Sequence, residues 1–362
     1  MNIFVVNSGS SSIKYQLFKM PNEKPICTGL VERIGLENSV ITHKLFLNGE
    51  EKVIRRQLDL NDHEAGLHEV AQLLTDPEIA VIHNPEEINA VGHRVGQGGE
   101  RGAATTGRTK EVKDEIKKLF SLAPLHNPPN YLGIEVAEKI FTKAKQIAVF
   151  DTAFHQTIPE QAYRYAIPQS LYHEMGIRQY GFHGTSHKYV SEKAIDYLEN
   201  PSAKIITVHL GNGCSMTAVN AGKSVDTSMG FGPVCGLIMG TRSGDVDPFI
   251  IFHMVNQLGY SLDQVNNLLN KQSGMLGLTG FSDMRDITKA IAEGSHDAEL
   301  AYVLAKEMAH DILGHPQKLR MSATEGGIID NLIRIKPDLG AMNGMSGIRP
   351  IPQEFDAAAD TL

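Results

Sequence analysis

The sequence predicts an α/β protein built as two related halves, and three observations carry that expectation. The first is a repeat. Asn2–Phe18 (NIFVVNSGSSSIKYQLF) and Ile205–Lys223 (IITVHLGNGCSMTAVNAGK) both read as an apolar strand, a tight turn of small residues and a second strand. Apolar runs joined by a few Gly, Asn or Ser residues form a β-hairpin, and the converging N–H groups of such a turn make a nest for phosphate oxygens. One such segment would be only a hairpin. Its recurrence at the head of each half points to a duplicated domain with a phosphate-binding turn on either side of a cleft. The second observation is order, since strand patterns precede helical patterns in both halves. The third is size: 362 residues exceed what one hydrophobic core usually supports, so domains at 1–150 and 151–362 are expected.

Composition narrows the function classes. With 41% apolar and 21% charged residues the chain is an ordinary globular sequence. A formal charge of −8 argues against nucleic-acid and membrane partners, so any anion site must be local. Cys27, Cys214 and Cys235 are odd in number and dispersed, and read as reduced thiols of a cytoplasmic protein. The N-terminus enters a strand pattern without a basic leader, and no apolar run approaches the roughly 18 residues of a membrane span.

Taken in order, Cys27–Ile34 and Ser39–Leu47 alternate apolar and polar residues as strands do, with Asn48-Gly49 as a turn. A helical pattern covers Asp62–Leu74, and Ile88–Val95 is a buried strand carrying Gly92-His93-Arg94 at its end. Glu111–Leu122 and Asn130–Phe141 have helical spacing, and the prolines of the APLHNPP loop between them restrict the backbone of His126. Gln146–Phe150 is a short strand. Asp151 lies just past its carboxyl end, where ligand groups collect in open α/β sheets. A helix to about Leu198 follows GFHGTSH (181–187), with Thr185 or Ser186 expected to cap it and His183 at its positive end. The second hairpin then leads through Asp226-Thr227-Ser228 into the glycine-rich stretch 230–244. Helices are expected at about Pro248–Leu258, Leu262–Asn270, Ile287–Glu293 and Asp297–Leu313.

The polar residues at these ends share a theme. Asn7, Ser10, Ser12 and Lys14 surround the first turn; Arg94 and Arg242 close apolar or glycine-rich segments; His126, Asp151 and His183 lie in stiff loops or at helix starts. Each has an ordinary reading when taken singly: a solvated strand lysine, a helix cap, a surface ion pair, a packed histidine. Metal-cage spacing is missing, because His183 and His187 lack a glutamate between them and a third ligand. A serine nucleophile lacks its G-x-S-x-G setting. Phosphoryl transfer, by contrast, needs this inventory of fixed cations and N–H donors around a group with charge on three oxygens. Arginine suits it, being always charged and able to hold two oxygens at once.

Seven segments resemble the acetate kinase family of the sugar-kinase/Hsp70/actin superfamily: VNSGSSSIKYQLF (6–18), GHRVGQGGE (92–100), LAPLHNPPN (122–130), VFDTAFHQTIP (149–159), YGFHGTSHKYV (180–190), HLGNGCSM (209–216) and IMGTRSGDVDP (238–248). The resemblance implies two duplicated actin-like (ribonuclease H-like) α/β domains flanking an active-site cleft. It implies reversible transfer of the ATP γ-phosphoryl group to acetate, giving acetyl phosphate and ADP, with Mg²⁺ or Mn²⁺, in a homodimer formed through the C-terminal domain. Carried over by position, Asp151, His183, Arg242 and His126 would be catalytic. Arg94 would bind the carboxylate, with Gly96, Leu125, Phe182 and Pro233 lining the acyl pocket. Ser10, Ser12, Lys14, His209, Leu210, Gly211, Asn212 and Gly213 would hold phosphates, and Asp283, Met284 and Arg285 the adenosine. Asn7 and Glu354 would serve the metal. A carboxylate acceptor is already ionised near neutrality, so Asp151 is expected to orient a group and not to remove a proton.

Two departures from the family pattern matter. HRVGQGG replaces HRVVHGG, so Gly96 is expected to open room for a longer acid and make propionate a live substrate. Near the C-terminus, Gly327-Ile328-Ile329-Asp330-Asn331 replaces a G-I-G-E-N nucleotide motif in a shortened region. Propionate kinase is therefore one alternative, and a catalytically impaired nucleotide- or acyl-phosphate-binding homologue is another.

Overall fold

A computed structural model gives the chain a mixed α/β fold and describes residues 1–47, 50–100, 106–107, 110–124 and 126–312. Two compact units divide it: Met1–Ile205 with Val219–Asp226, and Ile206–Ala218 with the chain from Thr227 on.

In the first unit, β1 (Asn2–Ser8), β2 (Ser12–Lys19), β3 (Pro25–Glu32), β4 (Ser39–Leu47) and β5 (Glu50–Leu58) form an antiparallel meander. β6 (Ile88–Val95) adds to β1 in parallel, β7 (Thr106–Gly107) is a short edge strand, and β8 (Lys145–Phe150) runs parallel to β6. The sheet order is β5-β4-β3-β2-β1-β6-β8-β7. Period-two alternation assigns the two faces. Phe4 and Val6 of β1 with Ile13, Tyr15 and Leu17 of β2 enter the core, so Val5, Asn7, Lys14 and Gln16 face the other way.

Helices α1 (His63–Thr75) and α3 (Asn127–Ile140) cover the core face, with α2 (Lys110–Lys118) beside α3. Asp62 caps α1 by accepting from the Ala65 N–H, and Leu67, Val70 and Leu74 bury its apolar stripe. The expected turn at Asn48-Gly49 lies outside the described residues. β5 was not legible as a strand because EEKVIRRQL is charged on both faces; it survives as a sheet edge, where charge blocks further pairing.

Past β8 come α4 (Glu160–Tyr163), α5 (Gln169–His173) and α6 (Gly184–Leu198). The start of α6 corrects the expected cap. His183 itself occupies the N-cap position in the left-handed region (φ +57°), and neither Thr185 nor Ser186 caps the helix.

A three-stranded sheet, in the order β11-β10-β9, contains β9 (Lys204–Leu210), β10 (Cys214–Asn220) and β11 (Lys223–Thr227). The second unit contains α7 (Pro248–Asn256), α8 (Leu262–Lys271), α9 (Gly274–Thr279), α10 (Met284–Ala292) and α11 (His296–Ile312). Ile238, Met275, Ile287, Ala298 and Ala301 form its core cluster. The short α9 escaped the sequence reading because Gly274 starts it at φ +62°, a conformation that helical periodicity does not signal.

Candidate active site

The first unit gathers polar groups at one edge, where the three parallel strands β1, β6 and β8 end together. Asn7 is the penultimate residue of β1, Arg94 the penultimate residue of β6, and Asp151 the first residue after β8. This is the carboxyl edge at which α/β sheets bind ligands. Arg94 Nε donates to both Asp151 carboxylate oxygens at 3.0 Å and Nη2 donates to Oδ2 at 2.6 Å. Arg94 Nη1 reaches Asn7 Oδ1 at 3.4 Å. The Asp151 side chain is 4% exposed and that of Arg94 42%, so the carboxylate is the buried anchor and the guanidinium the presented group. Desolvation pulls the Arg94 pKa down and the Asp151 charge pulls it up, with a net upward direction.

The loop after Arg94 is held at successive residues. The Gly96 N–H donates to Asn130 Oδ1, and the Asn130 amide donates in turn to the Ser8 carbonyl at 2.6 Å, tying β1 to the loop. Gln97 exchanges bonds with Asn127, and the Gly98 N–H donates to Thr152 Oγ1. Gly96 faces His126 across this loop. A Cβ there would lie 2.9 Å from His126 Cβ and 3.4 Å from its Cγ. The missing side chain lets His126 pack against the loop at this point. His126 precedes α3, whose first turn carries Pro128 and Pro129.

On the other side of Asp151, its carbonyl accepts from the Gly184 N–H at 2.8 Å, and a Cβ at Gly184 would sit 2.3 Å from that oxygen. Only glycine allows the N-terminus of α6, and with it His183, to approach so closely. Buried Phe182 is fixed through its carbonyl by His155 Nε2 at 2.9 Å, while His155 Nδ1 meets Ser224 Oγ at 2.9 Å. Burial lowers the His155 pKa to about 4, so the ring is neutral and donates Nε2–H.

At the first hairpin turn, Ser10 is exposed and Ser12 half-buried. The Gly9 N–H donates to the Ser12 carbonyl, and the His63 ring bonds the Gly9 carbonyl at 2.6 Å. Lys14 stands opposite Asn7 in the β1–β2 register, and both line a concavity of about 480 Å³ with Gln16, Thr28, Thr42 and Lys44.

The second unit has its own cluster. Leu210 and Gly211 of the second turn line a cavity of about 260 Å³ with Ile238, Met239, Met275 and Met284. The Gly240 N–H donates to the Asn212 carbonyl, and a Cβ at Gly240 would meet Asn212 Oδ1 at 2.4 Å. His209 and Gly213 flank that turn, and both are half-buried. Arg242 Nη1 donates to the Pro233 carbonyl at 3.1 Å. Asp283 caps α10 and binds Arg285, whose side chain is 90% exposed. Leu125, Gly327, Ile328, Ile329, Asp330, Asn331 and Glu354 lie outside the described residues.

Sequence reading passed over Asn127, Asn130, Thr152, His155 and His63, which position their neighbours by hydrogen bonds. Four of these five lie inside the quoted segments LAPLHNPPN and VFDTAFHQTIP. The signal was therefore present, but it carried no charge or strand-end position to mark it.

Fold and site together define an α/β protein equipped to hold small anions at a strand-end arginine. Residues 2–341 match the Acetokinase family, and the chain belongs to it. The chain is 59% identical over 304 residues to the acetate kinase of Flavobacterium johnsoniae, covering 84% of this chain and 76% of that protein. Among solved structures it resembles Porphyromonas gingivalis acetate kinase at 40% identity, covering 90% of this chain and 81% of that one, with a TM-score of 0.80. It also resembles a propionate kinase from Francisella tularensis at 41% identity, covering 86% and 79%, with a TM-score of 0.81.

Proposed function

We propose that this chain is an acetate kinase, transferring the γ-phosphoryl group of ATP to acetate and back. The observation that carries the reading is the Arg94–Asp151 pair at the strand ends. One edge of the guanidinium grips the buried carboxylate, and a further Nη1 bond goes to Asn7. That leaves two of its five N–H groups for an incoming carboxylate or acyl phosphate. Asp151 then acts by holding Arg94 rigid, which suits an acceptor that needs no deprotonation. His183, at the start of α6, adds a donor beside the positive end of a helix, and His126 is held against Gly96 on the same loop. Arg242 is assigned a catalytic role on the family likeness, as a further source of positive charge. The hairpin turns at Ser10–Ser12 and His209–Gly213, with Lys14, serve the phosphates. The apolar cavity beside Met284 serves the nucleoside, with Asp283 and Arg285 at its α10 end. Phe182 and Pro233 border the acyl group, as does Gly96 through its packing on His126. The 1–150 and 151–362 halves of the sequence are read as the duplicated parts.

Mg²⁺ on a nucleotide keeps several waters and takes few protein oxygens. Asn7 Oδ1 and the remaining lone pair of Asp151 Oδ1 are donors of that kind, already held by Arg94. This set fits a cation that arrives with ATP, and Mn²⁺ would suit the same oxygens. The ion would neutralise charge on the β- and γ-phosphates.

A homodimer accompanies the reading. None of the nine residues of α7 (PFIIFHMVN) is buried, and Phe249, Ile250 and Phe252 are exposed, as are Leu258 and Leu262 beyond it. Several exposed apolar side chains on and just beyond one short helix call for a partner surface, here a second copy.

A coupled assay for ADP release with acetate, propionate and butyrate tests the activity. Acetate should be the best acceptor, because His126 fills the space beside Gly96. Folded protein that turns over none of the three would end the kinase reading.

A further inference from the structure

The described residues of the first unit contain a second charge cluster, away from Asp151. Arg178 is 6% exposed and lies over aromatic rings: its Cζ is 3.5 Å from the Tyr163 ring centroid and 5.4 Å from that of Tyr180. Its Nε donates to the Gln179 carbonyl at 3.1 Å, and its Nη1 lies 3.8 Å from Glu100 Oε1. Buried Nη2 has no partner among the described residues. The stack continues outward, with Tyr163 and Tyr172 hydroxyls 3.1 Å apart and Arg164 Cζ 4.0 Å over the Tyr172 ring. Tyr172 is pushed to a higher pKa by the Tyr163 hydrogen bond first, then by burial and the Glu100 charge.

The two ends of this ion pair explain why it matters. Glu100 lies further along the loop that begins at Arg94, whose intervening residues are fixed by Asn130, Asn127 and Thr152. Arg178 begins the segment that ends at His183, which is fixed later by His155 on Phe182 and by Asp151 on Gly184. Glu100 and Arg178 thus link two segments that both return to Asp151. Burying a guanidinium is unfavourable unless it is paired and stacked, so its position is a specific requirement of this corner.

We propose that Glu100 and Arg178 are positioning residues, clamping the Arg94 loop to the His183 segment so that Arg94 and His183 meet the transferred group in one fixed geometry. This rests on the kinase reading above. Small misplacement of reacting groups is costly in rate, so the clamp acts on turnover more than on nucleotide binding.

The test compares wild type, Glu100→Gln, Arg178→Met and the double variant by steady-state kinetics with acetate and ATP, alongside thermal melting. Glu100→Gln should lower kcat about tenfold with KM for ATP within about twofold of wild type. In the Arg178→Met background it should cost nothing further, because the partner is gone. Glu100→Asp should recover part of the loss, and that comparison decides the matter if Arg178→Met does not fold. Full kcat in Glu100→Gln, or effects that multiply in the double variant, would overturn the clamp. Wild type run in parallel separates the two ideas: no turnover there defeats the kinase reading and with it the clamp, whereas normal turnover with neutral variants defeats the clamp alone.

Discussion

The two hairpin turns look alike in sequence and differ in what surrounds them. The first, Ser8–Ser12, adjoins strand ends that carry a buried carboxylate, a presented guanidinium and a web of side-chain bonds from Asn130, His63 and Thr152. The second, Leu210–Gly213, adjoins an apolar cavity lined by methionine and leucine, and is braced by close backbone packing at Gly240. Repetition of a local pattern thus fixed two similar turns. The flanking residues decided that one region presents charge and the other shape.

The largest expected effect breaks the first region. Asp151→Asn leaves the partly exposed Arg94 guanidinium without the carboxylate that orients it, so the loss falls on activity more than on stability. We expect kcat/KM for acetate to fall by about 10³ and the melting temperature to drop as well. A variant that keeps near wild-type kcat/KM would show that the pair is not what presents Arg94.

Glycine substitutions then separate the regions. Gly184→Ala forces a Cβ to within 2.3 Å of the Asp151 carbonyl, and Gly240→Ala forces one to within 2.4 Å of Asn212 Oδ1. The first should lower kcat about a hundredfold by displacing His183. The second should raise KM for ATP about tenfold while leaving KM for acetate unchanged. If both variants shift the same constant, the division into a charge region and a shape region fails.

Acid should act on the first region through its histidines. His93 and His155 are both fully buried, and burial holds each near pKa 4, below the usual 6.5. An unfolded chain takes up these protons near pH 6.5 and the native one only near 4. Stability is therefore constant above about 6.5 and falls as pH drops toward 4, by roughly 1 kcal/mol per pH unit for each histidine. Urea unfolding at pH 7, 6 and 5 checks this, and His93→Gln should flatten the slope.

Much of this was legible in the sequence and the rest was hidden for physical reasons. Strand alternation and strand-end positions located β1, β6, β8, Asn7, Arg94 and Asp151, because those signals are local. The family likeness then carried the remaining candidate positions. What pattern reading missed was relational. That Gly96 makes room for His126 depends on a loop thirty residues away, and that Gly184 must be glycine depends on the Asp151 carbonyl thirty-three residues before it. Buried partners such as Asn130 and His155 bear no net charge, so nothing in a one-dimensional pattern distinguishes them from loop residues.

The smallest expected effect sharpens the shape side of the comparison. Ser282 contributes the only hydroxyl side chain to the described lining of the second-unit cavity, whose other members are aliphatic, thioether or thiol side chains and glycine. The Cys214 thiol is already committed to the Ile238 carbonyl at 3.2 Å. A site that reads its ligand by hydrogen bonds rejects a mismatched one strongly, because its buried polar groups are left unpaired; an apolar site discriminates only weakly. Ser282→Ala should therefore change KM for ATP less than about threefold, and GTP should replace ATP with a kcat/KM within about tenfold. A loss of a hundredfold on either count would mean that the purine edge is read by a hydrogen bond here, and that the second region works by polar recognition as the first one does.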